Sequence, residues 1–359
     1  MSKLRVAIFG LAHPHAASLT KAFKVLPDEV EIIGYAEVGP YDDQTPEERY
    51  RNIGKQADDI TRYDNWRELL ALNPDVAVVA TENSTCADVA CEILEKGISV
   101  INEKPMAMNY ADAKRMVKAA KSGSAHVITN WPIAWFPSFN LAQKLLDDGV
   151  VGKPMRVVYR SPATWGPFSY GKNNTPPPVE WLNKTWWYRK ECGGGSLLDY
   201  ACYGTILSTY MFGKKALRVS GITKQFCTAE TSVEDYSAMI LDFGDGVGLL
   251  EGSWSSFNPA EIPSGPIIYG TEGVIVCDRH SSLLKIYKGN SHAPIAPVEV
   301  IDCSEMPELK ADLGRNILDF LSGKGKLHPM LEAEINLAVC ATLDAGRRSA
   351  EQGVTAEVE

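Results

Sequence analysis

Two stretches of the sequence first carry residues whose types and spacing suit them to chemistry. Glu103-Lys104-Pro105 follows directly on the apolar run Ile98–Asn102. A lysine at the carboxyl edge of a strand is suited to orient a substrate hydroxyl or to stabilise an oxyanion. An ordinary solvated surface lysine is the other reading, and the proline stiffens the turn that follows. The second pair is Asp199 and Tyr203, four residues apart just after Gly193-Gly194-Gly195. On a helix starting near Ser196 they share one face. Oxidising an alcohol needs a group that takes the hydroxyl proton as a hydride leaves. Tyrosine ionises near pH 10, so a neighbouring ammonium would favour its phenolate, at about 1.4 kcal/mol per unit. In the opposite direction a neutral Tyr203 is already a proton donor. A buried tyrosine bonded to Asp199 with no catalytic part is the alternative.

A third stretch, Gly10-Leu11-Ala12-His13-Pro14-His15, joins the first apolar run to a helical pattern. Backbone N–H groups at such a junction cradle a dinucleotide pyrophosphate. Of the usual G-x-G-x-x-G fingerprint only Gly10 survives, with Ala12 and His15 in the other two glycine places. Glu37 closes the second apolar run, where an acidic residue accepts both ribose hydroxyls of NAD. Otherwise it solvates a strand end. Val38-Gly39-Pro40-Tyr41 offers no Arg or Lys for a 2′-phosphate, so NAD is expected and NADP less so. His13 and His15, spaced i, i+2, point to different faces of a helix and find no obvious third ligand. No metal site is expected. The two rings are expected to cap the helix and to lie near the phosphates or the nicotinamide.

These residues need elements to hold them. Short Val- and Ile-rich runs at 4–10, 30–37, 76–80, 98–102 and 126–130 alternate with helical patterns such as 84–96 and 110–121. That alternation predicts a doubly wound parallel sheet. Glu103 and Lys104 then stand at its carboxyl edge, where such folds bind ligands. Past residue 150 an alternating pattern takes over at 155–160, 217–226, 236–243, 247–254 and 273–278. Turn signals at Asp245-Gly246 and Glu272-Gly273 make this a mostly antiparallel sheet open on one face. A helix over 196–212 interrupts it, a Pro/Asn-rich loop covers 170–179, and helices over 305–321 and 331–350 close the chain. The predicted fold is an α/β Rossmann domain (1–130), an α+β domain with a large, mostly antiparallel open sheet (131–330), and a C-terminal helix (331–359).

At 359 residues the chain is long enough for two such domains. Hydrophobic residues at 45% against 23% charged exclude wholesale disorder. A net charge of −9 argues against a nucleic-acid or anionic-membrane binder, both of which need a basic footprint. No apolar stretch is long enough to cross a membrane, and Met1–Arg5 runs straight into a strand without a secretory pattern. Eight scattered cysteines without a CxxC fit free thiols in a reducing cytoplasm.

Glu103-Lys104-Pro105, the Ala80-Thr81-Glu82-Asn83 turn and GGGSLLD at 193–199 together resemble the Gfo/Idh/MocA oxidoreductases. The resemblance extends over nearly the whole chain, through Val233-Glu234-Asp235, the Tyr269–Gly273 turn and His328-Pro329. It implies a nicotinamide-binding domain and a sheet domain used for oligomerisation. It also implies a pocket between the two domains and oxidation or reduction of a sugar, polyol or related cyclic alcohol or carbonyl. By position Lys104 is the catalytic lysine, and Asn83 and Glu103 approach the nicotinamide ribose. Gly10, Ala12, His13, His15, Glu37 and Thr81 complete the cofactor set. Many members carry GGGxLxDxGxH. Tyr203 stands where that His falls and Ala201 where the Gly falls, as in the glucose–fructose oxidoreductase and dihydrodiol dehydrogenase branch, where the tyrosine is the proposed acid/base. Lys104 and Tyr203 are therefore expected to converge beside the nicotinamide, with Asp199 as the polar partner.

Trp131, Trp135, Trp165, Trp181, Trp186 and Trp187 suit the C–H face of a sugar, core filling or an oligomer interface. Arg160, Lys184 and Arg189 offer charge for an acidic sugar. A small-molecule substrate and a homodimer or homotetramer are expected. A non-catalytic nicotinamide sensor and an NAD-dependent glycoside-cleaving enzyme are the alternatives.

Overall fold

In the computed structural model the described residues are 2–39, 43–162, 166, 178–228, 230–257, 262–263, 265–278, 282–289, 292–306 and 312–359. They form two compact units, each built from discontinuous segments. The first comprises 1–131, 178–194 and 312–340, the second 132–177, 195–311 and 341–359. The first unit thus takes in 178–194 and 312–340 as well as the segment up to 131.

The first unit holds six parallel strands: β1 (Leu4–Phe9), β2 (Val30–Ala36), β3 (Arg62–Tyr63), β4 (Val76–Val79), β5 (Ser99–Glu103) and β6 (Val127–Asn130). Their order is β3-β2-β1-β4-β5-β6. The first connections are helices α1 (Ala16–Lys24), α2 (Pro46–Tyr50), α3 (Trp66–Ala71), α4 (Asn83–Leu94) and α5 (Tyr110–Gly123). Strands β4 and β5 are buried at every position. Their continuous apolar runs therefore belong to a sheet covered on both faces, as the sequence predicts. One side of the core joins Phe9, Val79 and Val100 to Val89, Ile93 and Met116 of α4 and α5. The strand order reverses between β1 and β4, and ligands bind such sheets at that point, outside the carboxyl ends.

The second unit holds a nine-stranded sheet: β7 (Pro154–Pro162), β8 (Arg218–Lys224), β9 (Tyr236–Asp242), β10 (Val247–Ser253), β11 (Ile267–Gly270), β12 (Val274–Cys277), β13 (Leu283–Tyr287), β14 (Glu299–Asp302) and β15 (Ala356–Glu357). It runs β14-β13-β12-β11-β7-β10-β9-β8-β15, and only β7 and β10 pair in parallel. Burial alternates along β9, β10, β12 and β13, so one face is packed and the other open. Helix Cys202–Phe212 packs on the closed face, where a side chain on Gly204 would meet Leu250 at 2.7 Å.

The helix expected over 196–212 is not one α-helix. Leu197–Ala201 is a π turn and the α-helix begins at Cys202. The helix expected from 305 begins at Leu313, capped by Asp312. The loop expected over 170–179 lies outside the described residues through 177, as does Trp165, and Val179 opens the short helix Val179–Leu182. The eight cysteines form no disulfide. Among the described residues no helix is long and apolar enough to cross a membrane.

Candidate functional site

Three neighbouring strand ends of the first unit deliver the predicted residues. β1 leads into Gly10–His15, β4 into Thr81–Asn83, and β5 ends on Glu103 with Lys104 next. Gly10 has φ +75°, and a side chain there would meet Thr81 at 2.4 Å, so the β1 and β4 ends approach as closely as only glycine permits. The junction keeps few donors for a phosphate. The Leu11 N–H donates to Glu37 (2.9 Å), the His13 N–H to the Ala80 carbonyl (3.1 Å) and the His15 N–H to Nδ1 of His13 (3.0 Å). Pro14 has none. Among the described residues the Ala12 N–H stays uncommitted within the loop.

His13 and His15 precede α1 rather than lie on it, which corrects the expectation that they diverge. Their ring centroids are 4.3 Å apart, and Nδ1 of His15 lies 3.1 Å from Oε2 of Glu103. Glu103 is thus the third partner that the i, i+2 spacing conceals, and the three side chains come within 4.8 Å of one another. Their bonding is the reverse of a metal site's. A metal-bound imidazole donates its second N–H to an acceptor. Nδ1 of His13 accepts instead, which places the ring proton on Nε2 and leaves no lone pair for an ion. Burial, then the neighbouring His15 and Lys104, hold His13 well below the ordinary imidazole range, so the ring is neutral. Its Nε2–H is buried and finds no acceptor among the described residues. Such an orphan costs about 1–3 kcal/mol.

Glu103 is fully committed. Its Oε1 accepts from Asn130 (2.6 Å) and its Oε2 faces His15. Burial alone would raise its carboxyl, but His15 beside it and the Asn130 amide hold it down to about 2. Lys104 follows it, only 3% exposed.

Glu37 is committed as well. It accepts from the N–H groups of Leu11, Val38 and Gly39 and from Nη1 of Arg49 at 3.0 Å. Arg49, itself fully buried, also pairs with Glu82. The absence of a basic residue at 38–41 therefore misses the guanidinium that α2 brings to Glu37 from twelve positions on. Glu82 accepts from Thr85 as well, at 3.1 Å, and the triad carries a net charge of −1.

The tryptophans divide by role. Trp186 and Trp187 stack at 3.8 Å; the Trp186 indole donates to the Ala12 carbonyl (3.1 Å), and Trp187 meets the His13 ring edge-on at 4.8 Å. This pair clamps the loop. Trp131 is buried and donates to Asn336. Nδ2 of Asn83 donates to the Gly193 carbonyl (2.8 Å), and a side chain on Gly193 would meet Asn83 at 2.7 Å. Arg189 pairs with Glu191, and Arg160 with Glu251 at 2.6 Å in the second unit. Both are already neutralised.

In the second unit Glu234 accepts from the Leu197 N–H (2.9 Å) and its own carbonyl accepts from the Ser196 N–H, so the Val233-Glu234-Asp235 segment fixes the start of the π turn. Asp199 on that turn is buried and accepts from the Trp254 indole at 3.0 Å. Tyr203, 9% exposed, sits one position into the following α-helix. Trp254 has no signature near Asp199 in sequence; only the pairing of strands brings it there.

The profile of an oxidoreductase family with an NAD-binding Rossmann fold matches residues 4–131, and the same family's C-terminal domain profile matches 139–276. Trans-1,2-dihydrobenzene-1,2-diol dehydrogenase of Xenopus laevis is 27% identical over 232 residues, 64% of this chain and 63% of that protein. The mouse protein of the same name is 24% identical over 268 residues, 74% of this chain and 70% of its own. The matched part thus spans less than two thirds of the amphibian relative. An oxidoreductase domain protein from Kribbella flavida superposes with a TM-score of 0.79 at 20% identity, with all of both chains covered. The WlbA dehydrogenase of Bordetella pertussis, solved with NADH and UDP-GlcNAcA, gives 0.76 at 20% identity, with 100% of this chain and 99% of that one covered. These two likenesses show the fold. With both domain profiles matched in order along most of its length, the chain belongs to the Gfo/Idh/MocA oxidoreductase family.

Proposed function

We propose that this chain is an NAD-dependent oxidoreductase that moves a hydride between a nicotinamide and a carbon bearing a hydroxyl or carbonyl on a sugar, polyol or cyclic diol. The observation that carries the reading is the buried Lys104 at the carboxyl end of β5, in a domain whose family profile is an NAD-binding Rossmann fold. The uncommitted Ala12 N–H and the orphan His13 Nε2–H beside it fit the oxygens of a dinucleotide. When bound, the nicotinamide supplies the hydride acceptor or donor. The chain's own residues do the rest. Lys104 stabilises the negative charge that grows on the substrate oxygen. Tyr203 takes or gives the hydroxyl proton, and Asp199, held by Trp254, is its polar companion. Gly10, Ala12, His13, His15, Thr81, Asn83 and Glu103 form the cofactor side. Glu37 faces the adenosine ribose, where the −1 charge of its triad disfavours the 2′-phosphate of NADP. The dihydrodiol and sugar substrates in the relatives' names support the substrate class.

The test is a panel of trans-dihydrodiols, levoglucosan, inositols and nucleotide-sugar acids, read as NADH formation. Turnover of a member of this panel is expected. Tight NADH binding with no turnover on any of them would make the chain a sensor instead.

The open face of the nine-stranded sheet exposes Ile222 and Ile240 around a depression of about 670 Å³ that also contains Arg160 and Glu251. We propose that this face pairs with a second copy of the chain, since an apolar patch of this kind marks an interface. Ile240→Glu should convert a dimer or tetramer to monomer in sedimentation; a wild type that is already monomeric at micromolar concentration contradicts the pairing.

A further inference from the structure

We propose that His13 is a permanently neutral hydrogen-bond donor whose Nε2–H reads an oxygen of the bound dinucleotide. The inference rests on the cofactor reading above and goes beyond it by giving the ring a protonation state and a direction.

Geometry fixes both. The His15 N–H donates to Nδ1 of His13 at 3.0 Å, so the single proton of a neutral ring must sit on Nε2. Trp187 packs edge-on at 4.8 Å and Trp186 lies 6.2 Å away, so the ring has little freedom to turn. The side chain is 3% exposed, and its Nε2 finds no partner among the described residues. A histidine kept only for packing would do better as an apolar ring, and one kept only to accept the His15 N–H would do better as a short carboxylate, because either avoids burying an unused donor. The charged and titratable groups around it are His15, Glu103 and Lys104. Lys104 already supplies positive charge there, and a second cation would be repelled. His13 is left to contribute direction without charge, the use that a helix-depressed histidine serves in other enzymes. The acceptor is an oxygen, either of the diphosphate or of a ribose hydroxyl.

The full-length protein labelled with ¹⁵N-histidine tests this. In the wild type the His13 ring, assigned by its loss in His13→Phe, should show an Nε2–H tautomer that does not titrate as the pH is lowered towards about 5.5. Its Nε2–H proton should move downfield on saturation with NADH. A shift produced by ADP and not by adenosine assigns the diphosphate, one already produced by adenosine assigns its ribose hydroxyls, and one produced only by ADP-ribose and NADH assigns a hydroxyl of the second ribose. Calorimetry should find NADH binding to His13→Phe weakened about tenfold, with His13→Gln, which can still donate, within about threefold of wild type. Should His13→Phe fail to fold, His13→Asn supplies the assignment and the wild-type titration still decides. NADH that binds the wild type while the His13 ring signals stay unmoved overturns the inference and leaves the cofactor reading standing. So does a ring that gains a proton in the ordinary way. A wild type that binds no NADH removes the cofactor reading and this inference with it.

Discussion

Two buried polar clusters lie in the first unit, built from similar groups and finished differently. In one, Glu37 and Glu82 close on the terminal nitrogens of Arg49, and every oxygen named has a donor from the protein, while the Nε of Arg49 finds no acceptor among the described residues. In the other, Glu103 is held by Asn130 and His15, but His13 keeps a donor unused and His15 is one third exposed. Arg49 is anchored to both carboxylates through its two terminal nitrogens whatever its Nε does, whereas the single N–H of a neutral His13 ring is its whole donor capacity. The first positions the loop through the Leu11 N–H, and the second closes it through the His15 N–H on Nδ1 of His13.

The largest effect that separates them is on stability. Arg49→Met strands two buried carboxylates side by side, and such a broken pair costs about 3–5 kcal/mol. Urea unfolding should show this as a large fall in midpoint, partly recovered in Arg49→Met with Glu82→Gln. An unchanged midpoint would mean that the triad fixes nothing.

Beside the other cluster, Lys104→Met should leave the urea midpoint near wild type and lower turnover about 10²–10³-fold. Tyr203→Phe should lower it about 10²–10⁴-fold with NADH affinity kept. The two losses should not add in the double variant, because both act on one proton transfer. Additive losses would separate the pair, and full activity in Tyr203→Phe would move the acid/base elsewhere.

A smaller effect follows from Glu103. Its carboxyl is held down to about 2, so its contribution to stability is complete above the ordinary carboxylate range and is lost as the pH falls through that range towards 2. The urea midpoint of the wild type should therefore drop between about pH 5 and pH 3, and Glu103→Gln should flatten part of that drop. An identical acid slope in the variant would show that the carboxylate has no such coupling.

Much of this was legible beforehand, and the gaps have physical causes. The Val- and Ile-rich runs located β1, β2, β4, β5 and β6, because a strand buried on both faces has to be apolar throughout. The two-residue β3 and β15 carry no such signal. β13 and β14 are short, and β14 is largely exposed, so the pattern gave them little contrast. Lys104 was placed correctly because its position depends on one strand end. The pairing of His13 with His15 escapes helical spacing because α1 begins only at Ala16, after both rings. Arg49 and Trp254 were missed because their roles are set by packing between distant segments, which no local spacing encodes.

The finest discrimination concerns the cofactor. Reading Glu37 as a lone carboxylate predicts strong rejection of a 2′-phosphate, whereas Arg49 beside it cancels part of that charge. Glu82 takes a share of the same guanidinium, so the cluster keeps one net negative charge. A 2′-phosphate should still be repelled, though less than by an unpaired glutamate. Glu37→Gln isolates this term. It takes the cluster from −1 to neutral and keeps one oxygen acceptor, for the N–H groups of Val38 and Gly39, with its amide nitrogen in place of the oxygen that faces the Leu11 N–H. NAD affinity should fall only slightly, and NADP affinity should rise about tenfold, the size of one screened charge contact of about 1.4 kcal/mol. Calorimetry with both nucleotides on both proteins reads the difference directly. Equal wild-type affinity for NAD and NADP would show that Glu37 serves only the loop. The two clusters would then share the work differently, with the triad purely structural and all ligand recognition on the His13 side.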